Sequence, residues 1–311
     1  MKHKVGVVGT NNRSRRYIAH LNASNFYEAA GFTGSDLAES RSIVKDYSRL
    51  AFLPFEELMN HADTLIFSSL SNDSEKRIAD SLKQGKNLIL PHYHFFNLTQ
   101  LQRFARIATE ADSLVFCGSA NFHNPALQEA GTYFTNPVFI DVARLQQFSA
   151  SKGKVSILND LLIQDLDWVL QAVSSNVKRI SVNPVSVLNR NDSDFINLKL
   201  EFDNGCIANL TSSRISELNL KKARIYYDKN VLYVDLLNQE LKRSFQNEDS
   251  VLFEEVSVIK EDEVKIQLQE FHLALEKKST RFISLSKAIT HFQILEQIAE
   301  KIKLKSTFLP V

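Results

Sequence analysis

Short apolar segments alternate with amphipathic helical segments over the first 120 residues of the chain. The apolar segments cover residues 4–8, 29–33, 64–68, 87–90 and 113–117, and the helical patterns between them cover 13–22, 37–48, 55–60, 74–84 and 98–111. Strands that alternate with helices in this way are typical of right-handed βαβ units around a parallel sheet. The pattern therefore predicts a doubly wound α/β domain over residues 1–120.

From about residue 137 the pattern changes to longer strands in which apolar and polar positions alternate. These segments are 138–145, 177–188, 195–202, 206–212, 223–227, 231–235 and 241–245. They predict one large, mostly antiparallel sheet, with helices at 161–173, 264–276 and 284–303. Asp203-Asn204-Gly205 predicts a hairpin with a primed turn. We therefore expect an α+β domain over residues 121–311, whose C-terminal helix returns towards the first domain.

Composition excludes several classes of protein. Among 311 residues, 44% are hydrophobic and 23% are charged, as in ordinary globular proteins. Lys and Arg number 37 against 36 Asp and Glu, so no basic excess favours nucleic acid or membrane as a partner. The apolar run Val5 to Gly9 is far shorter than the apolar region of a signal peptide, so we expect a cytoplasmic protein. Cys117 and Cys206 are the two cysteines, and their apolar surroundings predict reduced, buried thiols.

The first strand, turn and helix resemble a dinucleotide-binding fingerprint. Gly9 fills the place of the first glycine, which makes the tight turn, while Asn11 and Ser14 stand where the other two glycines are expected. Asn tolerates a positive φ and Ser is small, so the turn can still form. We expect the pyrophosphate of a cofactor to bind the backbone amides of this phosphate turn, Gly9, Thr10, Asn11 and Asn12.

Three arginines, Arg13, Arg15 and Arg16, stand at the start of the helix that follows the turn. Cations there oppose the positive end of the helix dipole unless an anion is bound. They indicate either a phosphate site or a solvated basic helix face.

The end of the second strand predicts how the cofactor ribose is held. Asp36 follows Gly34-Ser35, and Arg41 lies five residues further on. A small residue with a nearby arginine is typical of sites that accept a 2′-phosphate. The cofactor is therefore either NAD or NADP, and this feature slightly favours NADP. Asp36 is equally well explained as the N-cap of the following helix.

Several segments, in their order and spacing, resemble the Gfo/Idh/MocA family, the glucose-fructose oxidoreductase and inositol dehydrogenase group. They are Gly85-Lys86 followed by an apolar strand and Pro91-His92, Cys117-Gly118 followed by His123-Asn124-Pro125, the segment 160–167, and the strand pair 202–216. The last segment is similar to members that act on nucleotide sugars. The resemblance implies a Rossmann domain, an NAD(P) cofactor, and oxidation of a sugar or nucleotide sugar.

The chain departs from this family at the residues that carry its chemistry. The family lysine aligns with His92 and the family acid/base histidine aligns with Gln164. Two arginines expected to bind a nucleotide sugar align with Phe122 and Ser151, and the Thr-Pro that lines the cofactor aligns with Ser69-Leu70. The resemblance thus implies that Ser69 and His92 lie against the cofactor.

Oxidation of a secondary alcohol needs a group that removes the hydroxyl proton. His92 could do so, because an imidazole titrates near neutral pH, whereas Gln164 has no such proton. Asp160 could orient the base or bind a sugar hydroxyl. Each has a structural alternative: His92 as a packed, hydrogen-bonded side chain, Asp160 as an N-cap, and Gln164 as a polar residue left where a catalytic one was lost. By the resemblance, His92 and Gln164 face each other across the cleft.

Two hypotheses follow for the function. The first is an NAD(P)-dependent oxidoreductase with altered site chemistry, and the second is a pseudo-oxidoreductase that binds or senses a nucleotide or sugar ligand without hydride transfer. We expect no metal site, since no Cys or acidic cluster joins His92 and His94 at ligand spacing. In the family the open face of the large sheet pairs subunits, so a homodimer or homotetramer is expected.

Overall fold

A computed structural model describes residues 2–148, 155–188, 192–247 and 250–306. They pack as two compact units. The first holds residues up to 120 together with 262–290, and the second holds residues 121–261 and those from 291 onward. A division of the chain into domains 1–120 and 121–311 stays a prediction.

The strands, in chain order, are β1 His3–Val8, β2 Tyr27–Thr33, β3 Thr64–Phe67, β4 Asn87–Leu90, β5 Val115–Cys117, β6 Phe139–Gln147, β7 Val177–Val185, β8 Phe195–Phe202, β9 Ile207–Ser216, β10 Leu220–Tyr227, β11 Asn230–Asp235, β12 Glu240–Asn247, β13 Ser250–Val256 and β14 Ile283–Ser284. The α-helices are α1 Asn12–Asn22, α2 Leu37–Asp46, α3 Phe55–His61, α4 Ser74–Lys83, α5 Leu98–Glu110, α6 Pro125–Ala130, α7 Ile163–Ala172, α8 Glu263–Leu275 and α9 Leu285–Ser306. Short 3₁₀ turns lie at Tyr93–Phe95 and Ala120–His123, and a π-helical turn at Leu158–Leu162 leads into α7.

The first unit contains a sheet in the order β14-β5-β4-β3-β1-β2. Neighbours from β2 to β5 run parallel, and β14 pairs antiparallel with β5. Residues 5–8 of β1 are all buried, as expected for a parallel strand covered on both faces. The predicted Rossmann domain is confirmed.

Helices α1 and α8 bind the sheet of the first unit through buried polar contacts as well as apolar packing. The Tyr17 hydroxyl donates to Oε1 of Gln267 at 2.5 Å, and the Tyr27 hydroxyl donates to the Leu268 carbonyl at 2.8 Å. Val264, Leu268 and Phe271 of α8 belong to the same apolar core as Val5 and Ile18. Residues 262–290 are therefore part of the first unit's core.

The second unit contains a sheet in the order β13-β12-β11-β10-β6-β9-β8-β7, in which β6 and β9 are parallel and the other neighbours antiparallel. Alternate residues of β8 are buried, as the alternating pattern predicts. Thus the predicted large, mostly antiparallel sheet is also confirmed.

Some predicted details of the second unit are wrong. Strand β13 and helix α6 were not expected, and the helix predicted at 161–173 begins earlier, with the π-helical turn. Asp160 lies inside this turn, where its amide donates to the Ser156 carbonyl at 2.9 Å, so it is not an N-cap. Within the described residues, no helix has the combined length and apolar character that crossing a membrane requires.

The hairpin between β8 and β9 is present, but its turn is not a primed one. Gly205 has a φ of +86°, whereas Asn204 is not among the described residues with positive φ, and a type I′ turn needs both. The chain reverses in a turn that the Gly205 amide closes by donating to the Phe202 carbonyl at 3.0 Å, with Gly205 as its left-handed residue.

We predict that Gly205→Ala lowers the free energy of unfolding by about 1–2 kcal/mol, the cost of a left-handed conformation for a residue with a Cβ atom. Nothing lies within 4 Å of a Cβ placed there, so the loss would come from the backbone alone. Urea unfolding measures it, and Gly205→Asn, whose side chain tolerates this conformation better, is the matched control. Equal losses for Ala and Asn would contradict the explanation.

Candidate nucleotide-binding site

The carboxyl ends of β1 and β3 define the candidate site in the first unit. Strand β1 lies between β2 and β3, where the order of the parallel strands reverses. Ligands of open α/β sheets bind at the carboxyl edge at such a point. Gly9 follows β1 and Ser68 follows β3, and both amides are held by this edge, since Gly9 donates to the Thr33 carbonyl and Ser68 to the Val8 carbonyl.

Gly9 has no room for a side chain. Its φ is +132°, and a Cβ atom would lie 2.4 Å from Oγ of Ser69 and 2.6 Å from Oγ of Ser68. Both distances are far shorter than a carbon–oxygen contact allows. The tight turn assigned to Gly9 from the sequence therefore depends on the absence of a side chain at this position.

Asn11 and Ser14, which replace the other two fingerprint glycines, fasten the turn with hydrogen bonds. Asn11 caps α1, because its Oδ1 accepts from the Ser14 amide at 2.9 Å, and its Nδ2 donates to the Ser68 carbonyl at 3.2 Å. Ser14 is fully buried, and its Oγ lies 2.8 Å from Oγ of Ser68. Ser68 is thus a central residue that no sequence motif indicated.

The first turn of α1 is arranged to receive an anion. Thr10 is buried beneath the turn, and Asn12 is the first residue of the helix. Amides in the first turn of a helix lack intrahelical acceptors and lie at the positive end of its dipole. A phosphate group is the ligand that these two properties favour.

The three arginines of α1 have different surroundings. Arg15 donates to Asp46 at 2.6 Å and to Glu39 at 3.2 Å, and Arg16 donates to Asp262 at 2.9 Å. These ion pairs account for two of the arginines without a bound phosphate. Arg13 instead donates from Nη1 to Nε2 of His92.

Asp36 is the N-cap of α2, which was one of the two explanations that the sequence offered for this residue. Its Oδ1 accepts from the amides of Ala38 at 2.9 Å and Glu39 at 3.0 Å. Ser35 is exposed beside it, and Arg41 is exposed on α2. A ribose contact by Asp36 or Arg41 stays a prediction.

A cleft of about 560 Å³ opens along the carboxyl edge of the first unit. Its walls include Asn11 from the phosphate turn, Ser69 from the end of β3, His92 from the end of β4, and Glu75 with Phe95 further along. The structure thus brings the predicted residues Asn11, Ser69 and His92 to one cavity.

The imidazole of His92 is neutral at physiological pH. Burial, then the charge of Arg13 and then that of His94, lower the pKa of His92 to about 3, against the opposing effect of a backbone hydrogen bond with Ser68. The ring of Phe95 lies 5.9 Å from the imidazole, centre to centre. His92 is therefore hydrogen-bonded and packed, and it also lines the cleft. The expectation that its imidazole titrates near neutral pH is wrong, because burial holds its pKa far lower.

In the second unit, hydrogen bonds engage both ends of the Gln164 amide. Its Oε1 accepts from Nδ2 of Asn121 and, at 3.1 Å, from Nη1 of Arg144. Its Nε2 donates to the Asp160 carbonyl at 2.5 Å. The side chains of Asn121 and Arg144 and the main chain of Asp160 thus fix the orientation of Gln164.

Arg144 and Asp165 form a buried, bidentate ion pair beside Gln164. Two 2.6 Å hydrogen bonds join them, and each side chain is only 2% exposed. Nε1 of Trp168 donates to Asp165 at 3.3 Å. Arg144 was not predicted, although a charged residue at an inward-facing position of β6 was the available signal.

The resemblance also singled out Phe122 and Ser151. Phe122 is half-buried in the 3₁₀ turn Ala120–His123, and Ser151 lies outside the described residues. His291 is buried and has Nδ1 2.9 Å from Oδ1 of Asp167. Among the described residues, no three His, Cys, Asp or Glu side chains gather as a metal site.

A Rossmann sheet with a glycine turn and a cleft at its switch point defines a nucleotide-binding domain of the dinucleotide type. Residues 3–119 match the family model described as the oxidoreductase family with an NAD-binding Rossmann fold. The match to the Gfo/Idh/MocA family is thus carried by this N-terminal domain.

Comparison with individual proteins agrees with this assignment. The chain is 21% identical over 242 residues to UDP-N-acetylglucosamine 3-dehydrogenase of Acidithiobacillus ferrooxidans, covering 76% of this chain and 75% of that protein. The solved structure of that enzyme matches with a TM-score of 0.87 at 18% identity, covering 96% of this chain and 97% of the other. A dehydrogenase (MviM) from Clostridium difficile matches with a TM-score of 0.82 at 19% identity, over 97% and 100% of the two chains. These structural similarities establish the fold.

We predict that Gly9→Ala lowers the affinity for NADH and NADPH at least about tenfold, because the Cβ atom would displace the serine hydroxyls that hold the turn. Fluorescence titration of the reduced nicotinamide measures the affinity. Gly85→Ala is the matched control, since Gly85 also has a positive φ of +70° but the nearest atom to its Cβ would be 4.0 Å away. A folded Gly9→Ala protein with unchanged affinity would show that the turn is misassigned.

A second prediction concerns the buried ion pair. Arg144→Met should lower the free energy of unfolding by about 3–5 kcal/mol, because it leaves Asp165 buried without its partner. Arg224→Met, which breaks the largely exposed pair of Arg224 with Asp141, should cost about 1 kcal/mol or less. Urea unfolding compares the two, and Arg144→Met combined with Asp165→Leu should recover part of the loss. Similar costs at the two sites would contradict the prediction.

Proposed function

We propose that this protein is an NAD(P)-dependent oxidoreductase that acts on the sugar of a nucleotide sugar. The cleft at the carboxyl edge carries the proposal, since it joins the phosphate turn at Asn11 to the ends of β3 and β4 at Ser69 and His92. The substrate class is supported by the similarity to UDP-N-acetylglucosamine 3-dehydrogenase.

The residues of the cleft fit the cofactor. The space that a Cβ atom at Gly9 would occupy lies beside the start of α1, where the amides of Thr10, Asn11 and Asn12 would hold the pyrophosphate. When bound, the nicotinamide supplies hydride transfer. Ser69 and His92 would line it. Exposed Arg41 favours NADP, although Asp36 beside it would repel a 2′-phosphate.

The other step that the reaction needs is removal of the proton from the sugar hydroxyl. His92 is neutral and its Nε2 accepts a hydrogen bond, so this nitrogen is the atom that would take the proton. Asp160 would bind a sugar hydroxyl through its carboxylate. The Gln164 amide transfers no proton, and its role would be to hold a polar atom of the substrate in place.

Three observations favour the second hypothesis, a non-catalytic binding or sensing protein. Both family residues that titrate are replaced, the Gln164 amide is engaged at both ends, and Nε2 of His92 is occupied by Arg13. A protein with these contacts could keep the ligand and lack turnover. A homodimer or homotetramer remains part of either proposal.

Two measurements separate the hypotheses. Titration with NADH and NADPH tests binding, and a turnover screen with NAD⁺ or NADP⁺ over UDP-N-acetylglucosamine, other nucleotide sugars and simple sugars tests catalysis. If His92 takes the proton, His92→Ala should lower kcat about 10²- to 10⁴-fold. The matched control is His61→Ala, since His61 is exposed on α3, outside the cleft.

Turnover that ignores His92→Ala would reject His92 as the base. If the natural protein binds cofactor without turnover, the double variant His92→Lys, Gln164→His supplies the reciprocal test. A gain of dehydrogenase activity in that variant alone would support the pseudo-oxidoreductase.

A further inference from the structure

Arg13 connects the phosphate turn of the first unit to His92 at the end of β4. Its backbone belongs to the first turn of α1, next to Asn11 and Asn12 of the phosphate turn. Its guanidinium donates to Nε2 of His92, a residue that lines the cleft at the end of β4. A single side chain therefore connects the place where an anion would bind to the candidate base.

The position of Arg13 on α1 makes this contact sensitive to anions. A cation in the first turn of a helix is disfavoured by the helix dipole, and a bound anion reverses that effect. An anionic phosphate can accept two parallel hydrogen bonds from a guanidinium, whereas a neutral imidazole nitrogen accepts only one and carries no opposite charge. A phosphate at the start of α1 would therefore compete with the neutral imidazole for the guanidinium.

We propose that Arg13 is a positioning residue, which holds the His92 imidazole as a neutral hydrogen-bond acceptor until an anionic group at the start of α1 draws the guanidinium away. The identity of that group as the cofactor's pyrophosphate rests on the proposed function. Cofactor binding would then release Nε2 of His92 for the hydroxyl proton of the substrate.

The other groups around His92 limit how much the release of Arg13 can change the pKa of the imidazole. His94 lies on the same turn with its ring 5.9 Å from that of His92, and the Ser68 main chain faces it from the end of β3. Glu75 of α4 lines the same cleft, but Gln100 at 2.7 Å and Arg103 at 3.1 Å hold its carboxylate. Burial lowers the pKa of His92 more than Arg13 does, so the release of Arg13 should raise it only part of the way.

The first experiment uses the protein without ligand. Histidine imidazoles labelled with ¹⁵N are followed by NMR from about pH 2.5 to pH 8, a range that includes the pKa of His92, with His92→Gln used to assign the signals. Arg13→Ala should shift the Nε2 signal of His92 at pH 7 and raise its pKa by at least about one unit. Arg13→Lys, which keeps the charge, should restore part of the natural behaviour.

Arg15→Ala is the matched control. It removes the same charge from the same helix, but Arg15 contacts Glu39 and Asp46, not His92. Its His92 signal should match that of the natural protein. If Arg13→Ala leaves the Nε2 signal in place, or if both variants move it equally, the proposal is overturned.

The second experiment adds ADP-ribose, which carries the pyrophosphate but has no nicotinamide to touch His92. Saturation, verified by calorimetry, should move the His92 signal of the natural protein towards that of Arg13→Ala and leave that variant unchanged. Binding without movement would overturn the proposal while cofactor binding stands. If neither ADP-ribose nor NADH binds, the proposed function fails, and the variants without ligand still decide whether Arg13 holds His92.

Discussion

The close approach of β1 and β3 at their carboxyl ends is the constraint on which the candidate site depends. Gly9 lies so near the hydroxyls of Ser68 and Ser69 that even a methyl group is excluded. This approach lets Asn11 reach the Ser68 carbonyl and lets Ser14 reach the Ser68 hydroxyl, so that α1 starts at a fixed point above the sheet. The start of α1, the cleft and Arg13 are all placed by this contact. One residue without a side chain thus determines the geometry of the first unit's functional edge.

The second unit shows why an amide suits position 164, where the resemblance places the family histidine. Oε1 of Gln164 lies 3.1 Å from Nη1 of Arg144, whose charge is balanced by Asp165 in a pair that is almost completely buried. A neutral amide oxygen accepts from the guanidinium without altering this balance. A protonated imidazole would add a second positive charge beside Arg144, which a buried site disfavours strongly. Gln164 is therefore compatible with the buried Arg144–Asp165 pair. A histidine at the same position would be disfavoured in its protonated form by the charge of Arg144.

Hydrophobic periodicity was sufficient to predict the Rossmann sheet and most of the large sheet, because buried strands such as β4 and β8 carry unbroken or alternating apolar positions. It missed β13, where Val251, Leu252 and Phe253 are all exposed and no alternation marks an inner face. The π-helical turn at Asp160 could not be predicted from the sequence, because a change of hydrogen-bond register in a helix leaves the pattern of apolar residues unchanged. The glycine turn was predictable from motif spacing. The partners Ser68 and Arg144 were not, because their roles arise from contacts between segments distant in sequence.

The two cysteines give the chain an internal means of observing each unit separately. Cys117 lies in β5 of the first unit and Cys206 precedes β9 of the second, and both are buried thiols outside any disulfide, as the sequence predicted. Burial raises the pKa of Cys206 to about 11, so the reactive thiolate is scarce while the second unit stays closed. Reaction with a thiol reagent then requires local opening around the cysteine. The labelling rates of the two thiols would report the opening free energies of the two units independently, in the unmodified chain.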